Sequence, residues 1–138
     1  MPSVLNPYIS FRDNAREAME FYRDVFGGDL KLNTFGEYGD SNAPGANNIM
    51  HAQLETDRGF TLMASDTPPE MGQVNPGSNI SISLSGDDEQ ELRGYWDKLS
   101  DGGTVTMPFE KQMWGDLFGQ CTDKYGVAWM VDVVQPQS

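Results

Sequence analysis

The spacing of apolar residues along the chain switches twice from a strand period to a helix period and back. Val4, Tyr8, Ile9 and Phe11 mark a strand over residues 4–11, with Pro7 early enough to suit an edge or a bulge. Asn14 and Glu17 have the spacing of an N-cap and its capping-box partner. Ala18, Phe21, Tyr22 and Val25 then follow at helical intervals, with Arg16, Glu20, Arg23 and Asp24 on the other face. Gly27-Gly28 stops this helix, because glycine takes the left-handed turn that side chains resist. Alternation resumes over residues 29–35, and the polar, Gly- and Pro-bearing stretch 36–48 reads as a long loop. Residues 49–55 and 60–65 are two further strands, joined by the turn Thr56-Asp57-Arg58-Gly59. The first half is therefore β-α-β-β-β.

Residues 66–78 contain Pro68, Pro69, Gly72, Pro76 and Gly77, and neither helix nor strand survives that density of breakers. The first order then repeats. A strand over 79–84 leads to Asp88 with Glu91, a second capping pair, and to Leu92, Tyr95, Trp96 and Leu99 at helical spacing. Asp101-Gly102-Gly103 closes the helix, a short strand 104–107 ends at Pro108, and strands 114–122 and 127–133 flank the turn Asp123-Lys124-Tyr125-Gly126. The copies share residues as well as order. NPYISF is echoed by NISISL and TDRGFTLMAS by TDKYGVAWMVD, which matches Asn6 with Asn79, Gly59 with Gly126 and Met63 with Met130. Such self-similarity is an internal duplication.

The expected fold is α+β: a single domain of two tandem β-α-β-β-β modules, residues 1–66 and 78–138, joined by a linker 67–77. The helices should lie outside curved sheets and bury Phe21, Tyr22, Tyr95 and Trp96 against them. A module with so few strands cannot cover both faces of its sheet, so each must borrow apolar surface from a partner.

Charge narrows the partners. Nine basic against 21 acidic residues give a formal net charge of −12, which repels phosphate backbones and anionic membrane surfaces, so neither nucleic acid nor a membrane is an expected partner. The acids are scattered and read as a solvated surface. No apolar run reaches the ~18 residues of a membrane-spanning helix. A single cysteine, Cys121, and an N-terminus without a signal pattern point to the cytoplasm.

Several motifs together resemble the vicinal oxygen chelate superfamily, which includes glyoxalase I, extradiol dioxygenases and bleomycin-resistance proteins, and within it the PhnB-like branch. They are AMEFYRDVFGG at residues 18–28, IMHAQL at 49–54, Asp-Thr-Pro-Pro at 66–69, ISISL at 80–84 and GGTVTMPFEKQMWGDLFGQCTDKYGVAWMV at 102–131. The resemblance implies that each module curls into an incomplete barrel enclosing a small-molecule site, and that the protein is a homodimer. In metal-using members the ligands come from the first and last strand of each module, typically His or Glu. Here those positions fall near Asn6, Met63, Asn79 and Met130, with Tyr8, Ser65, Ser81 and Asp132 as neighbours two residues away. An amide carbonyl or a thioether is a poor ligand for a divalent ion that prefers carboxylate oxygen or imidazole nitrogen, so no metal and no cofactor is expected. Some PhnB-like proteins are called methyltransferases. This chain shows no strand followed by a Gly-rich nucleoside-cofactor loop, and that reading is set aside.

His51 is the only histidine, and its strand setting admits a half-buried structural role or a polar group facing a cavity, where it would be the best general-base candidate. Cys121 reads as a buried, inert thiol rather than a nucleophile. The expected ligand-binding residues are Asn6, Tyr8, His51, Met63, Asn79, Trp114 and Met130, two asparagines at the rim of an apolar wall. Two functions are carried forward: a metal-free protein that binds a small, partly apolar ligand, or an enzyme of the same superfamily. The enzyme would use a metal held by unexpected ligands such as His51 with Glu37 or Asp132, or His51 as a base.

Overall fold

Twice in this chain a helix is laid across one face of a four-stranded sheet. The computed structural model describes residues 3–77 and 79–136, so the module boundary at Ser78 and the chain ends at residues 1, 2, 137 and 138 lie outside the described residues. The chain divides into two units, Met1–Asn75 and Pro76–Ser138, each with its own sheet.

In the first unit β1 (Tyr8–Phe11) leads through α1 (Ala15–Phe26) to β2 (Asp29–Thr34), β3 (Ile49–Glu55) and β4 (Thr61–Asp66). The sheet order is β1-β4-β3-β2, with β1 parallel to β4 and the other neighbours antiparallel. Helix α1 buries Ala15, Ala18, Met19, Tyr22 and Val25 against Ala52, Leu54, Leu62 and Ala64, which alternate along β3 and β4. Phe21 is half-buried, so the buried stripe lies one residue to the side of the expected one. The first strand begins at Tyr8 rather than residue 4; Val4 and Leu5 precede it, both exposed.

The second unit repeats the arrangement with β5 (Ile82–Gly86), α2 (Glu89–Ser100), β6 (Thr104–Lys111), β7 (Leu117–Thr122) and β8 (Ala128–Val133), in the order β5-β8-β7-β6. Leu92, Trp96 and Leu99 are buried, with Tyr95 half-buried and its hydroxyl 2.6 Å from a Glu91 carboxylate oxygen. Strand β6 runs through Pro108, where a stop was expected, because it lies at the sheet edge and its register to β7 shifts on both sides of Met107. A missing N–H costs nothing at an edge or in a bulge. Strand β7 begins at Leu117, leaving Met113 and Trp114 in the preceding turn, and β5 begins three residues after Asn79.

Both helices end at a glycine pair whose second member is required by close approach. A Cβ on Gly28 would strike the Glu55 carbonyl, and one on Gly103 would strike that of Thr122, so only glycine lets the chain turn over the hairpin beneath it. The two units are thus equivalent down to backbone contacts.

Candidate functional site

Register aligns the two sheets residue by residue. Tyr8 lies opposite Met63 and Met63 opposite Gln53 in the first unit; Ser83 lies opposite Met130 and Met130 opposite Gln120 in the second. All of these side chains alternate with the residues buried under the helices, so they stand on the sheet face away from the helix. A methionine flanked by a glutamine is therefore built into the same place in both units. The glutamines escaped the sequence reading, although they stand at the same interval in the chain as Met63 and Met130.

The same register corrects the matching of the first strands. Tyr8 corresponds to Ser83, and Asn6 therefore to Ser81 rather than Asn79. Asn6 is half-buried two residues before β1, and Asn79 is exposed before β5, so neither asparagine sits on a strand. Trp114 is 61% exposed on the turn before β7 and packs edge-on against Phe118, ring centroids 5.6 Å apart. Of the seven expected residues, Tyr8, His51 and Met63 share one face of the first sheet, and Met130 holds the matching position in the second.

The polar groups of the first face are joined in a line. Tyr8, 51% exposed, places its hydroxyl 3.3 Å from His51 Nδ1, with ring centroids 5.8 Å apart. His51 Nε2 is 3.3 Å from Gln53 Oε1, and the Gln53 amide donates to a Glu55 carboxylate oxygen at 3.0 Å. Across the sheet, Asn33 is the register partner of His51 and donates to Glu37. The second face has a different chemistry. His51 corresponds to Phe118 there and Ser65 to Asp132. Burial and a hydrogen bond to the neighbouring Asp116, whose charge adds to the effect, push the Asp132 carboxyl upward. One Asp132 oxygen is buried without a hydrogen-bond partner.

Side by side on the first and last strands of the two units stand Tyr8 with Met63 and Ser83 with Met130. Hydroxyls and thioethers do not make a site for a hard or borderline divalent ion, so the residues present do not fit such a centre. Among the described residues no three His, Cys, Asp or Glu side chains come together as metal ligands would. Cys121 is buried on the helix side of β7, where desolvation and then the charge of Asp123 push its thiol up to about 11.

Comparison with known proteins places this geometry in a family. The sequence profile of the 3-demethylubiquinone-9 3-methyltransferase family matches residues 3–132. Protein YjdN of Escherichia coli (strain K12) is 31% identical, over 96% of this chain and 97% of YjdN. The crystal structure of protein PA1353 from Pseudomonas aeruginosa superposes with a TM-score of 0.82 at 38% identity, covering 95% of this chain and 97% of that one. A putative 3-demethylubiquinone-9 3-methyltransferase, PhnB protein, from Bacillus cereus gives 0.74 at 25% identity, covering 94% and 98%. The fold is also that of a glyoxylase/bleomycin resistance protein/dioxygenase domain from Frankia sp. EAN1pec, with a TM-score of 0.66 at 14% identity, covering 98% of this chain and 99% of that one. The chain belongs to the 3-demethylubiquinone-9 3-methyltransferase family.

Proposed function

We propose that this protein is a cytoplasmic binding protein that holds a small, partly apolar ligand against the helix-distal face of each sheet, without a catalytic metal. The observation that carries the reading is the repeated Met–Gln pair, Met63 with Gln53 and Met130 with Gln120, facing away from both helices. Methionine gives an adaptable apolar wall, and a glutamine amide offers a donor and an acceptor beside it. Tyr8 and His51 extend the first face, Asn6 and Asn79 are the expected rim, and Trp114 is a further expected lining residue. The homodimer and the single-domain organisation expected from the sequence belong to the same proposal, and light scattering at micromolar concentration tests the first of them. The methyl transfer stated in the family's name is not part of the proposal, since the sequence carries no nucleoside-cofactor loop.

Native mass spectrometry of the protein purified from its own host identifies the bound molecule, and calorimetry then reads its affinity for Met63→Ala and Met130→Ala. Truncating a methionine that covers the ligand should weaken binding by about tenfold or more, the loss expected for ~1.5–3 kcal/mol of apolar burial. Unchanged affinity in both variants would show that neither face binds the ligand. Elemental analysis finding one equivalent of zinc, nickel, manganese or iron would overturn the metal-free part.

A further inference from the structure

We propose that Tyr8 and His51 form a one-way proton relay that deprotonates an acidic hydroxyl, phenolic or enolic, on a small ligand seated beside Met63. The proposal rests on the reading that this face binds such a ligand, and it names the ligand's chemistry.

The direction of the relay follows from one group that can only accept. The Glu55 carboxylate faces Gln53 Nε2 at 3.0 Å, which fixes the amide orientation and turns Gln53 Oε1 toward His51. That oxygen also only accepts, so His51 Nε2, 3.3 Å away, carries the ring proton when the imidazole is neutral. Nδ1 is then a bare lone pair, and the Tyr8 hydroxyl 3.3 Å from it must be the donor. Tyr8 is 51% exposed, and its phenolic oxygen, donating its one proton to His51, keeps its lone pairs for a ligand. Every bond in the series therefore points the same way, from ligand through Tyr8, His51 and Gln53 to Glu55, the arrangement in which hydrogen bonds polarise one another.

The step balances without a co-reactant. The ligand O–H bond breaks as a Tyr8 O–H bond forms, while the original Tyr8 O–H bond breaks and a His51 Nδ1–H bond forms. The ligand is left as an anion facing a neutral tyrosine hydroxyl, and the imidazolium keeps its Nε2–H on Gln53. Charge decides why the ligand arrives as a neutral hydroxyl. A chain of net charge −12 repels a preformed anion, so the proton is removed after docking.

The test uses 4-nitrophenol, a small phenol whose anion absorbs in the visible while its neutral form does not. Added at a pH below the probe's own pKa, wild-type protein should raise the anion absorbance in proportion to the complex measured by calorimetry. Tyr8→Phe and His51→Asn should each lower the anion fraction in the complex about tenfold or more, the worth of one hydrogen bond to a charged group. Heat of binding without anion formation would overturn the relay and leave the binding face standing. Neither heat nor colour would overturn the hydroxyl-ligand class. Independently of any ligand, the single histidine allows its ring nitrogens to be read directly by 15N NMR. Nε2 should be protonated and Nδ1 bare in the neutral ring, and Gln53→Leu should relax that preference. A protonated Nδ1 in the wild type would reverse the series and end the proposal.

Discussion

In the first unit the Asp66 carboxylate, at the end of β4, accepts from the backbone N–H of Ala15 at 2.9 Å and of Ile49 at 2.8 Å, and so starts a helix that lies far away in sequence. Asn14, with the right residue type in the right place, gives α1 only its backbone carbonyl and makes no side-chain cap. In the second unit the register position of Asp66 is occupied by Val133, and α2 is capped by its own Asp88, which accepts from Glu91 N–H at 3.1 Å. The buried acid has moved to the hairpin. Asp123 accepts from Tyr125 and Val127 N–H with one oxygen and from the Trp129 indole with the other. Its counterpart in the first unit is Thr56, whose hydroxyl accepts from Phe60 N–H alone. The exchange follows size: Trp129 stands where the first unit has Leu62, and a buried indole N–H requires an acceptor that a leucine does not.

Duplication has therefore kept the frame and relocated its buried charge, which gives a ranked set of ways to break the comparison. The largest loss is expected at Asp123→Ala, which strands three donors at a site only 3% exposed, for roughly 3–5 kcal/mol in denaturant unfolding. Asp66→Ala strands two donors and should cost about 2–4 kcal/mol. Adding Trp129→Phe to Asp123→Ala should recover part of the first loss, because the orphaned indole goes with the acid. Equal losses for Asp123→Ala with and without Trp129→Phe would show that the acid does not serve the tryptophan.

A second contrast concerns what lies beneath each helix. Gly119 of β7 corresponds to Ala52 of β3, and a Cβ there would come within 2.9 Å of both Phe109 and Trp96. Trp96, at the α2 position that corresponds to the smaller Tyr22 of α1, stacks on Phe109 at 5.3 Å and leaves no room for a Cβ on Gly119. Gly119→Ala should cost about 1–3 kcal/mol through overpacking, and Ala52→Gly no more than about 1 kcal/mol through chain entropy. Thermal or chemical unfolding of the two variants decides the order.

The helix caps give the next effect. Asp88→Ala should lose about 1 kcal/mol, and Asn14→Ala at most a few tenths, since its side chain caps nothing. An Asn14 loss as large as that of Asp88 would mean that the local pair does work in the first unit.

A further effect is one of pH. With the Cys121 thiol raised from 9.0 to about 11 in the folded state, the unfolded chain releases its thiol proton first. The stability due to this group is whole below about pH 9 and is lost as pH rises toward about 11. Denaturant midpoints of Cys121→Ala should fall less across that window than those of the wild type.

The order β-α-β-β-β, its repetition, the strand Ile49–Glu55, the glycine stops and the Asp88 cap were all legible in the chain, because each depends on neighbours a few residues apart. The methionine pair was legible too, since copies preserve position. What the tertiary structure decided is every feature that depends on which strands lie side by side. Register set Tyr8 rather than Asn6 beside the first methionine and brought His51 to Tyr8 from 43 residues away. The sheet edge let β6 continue through Pro108. Asp66 replaced a local cap because a strand end happened to meet a helix start, and Asp123 was drawn in by an indole across its own hairpin. A local pattern states what a residue can offer; only strand pairing determines which group is within 3 Å to accept it.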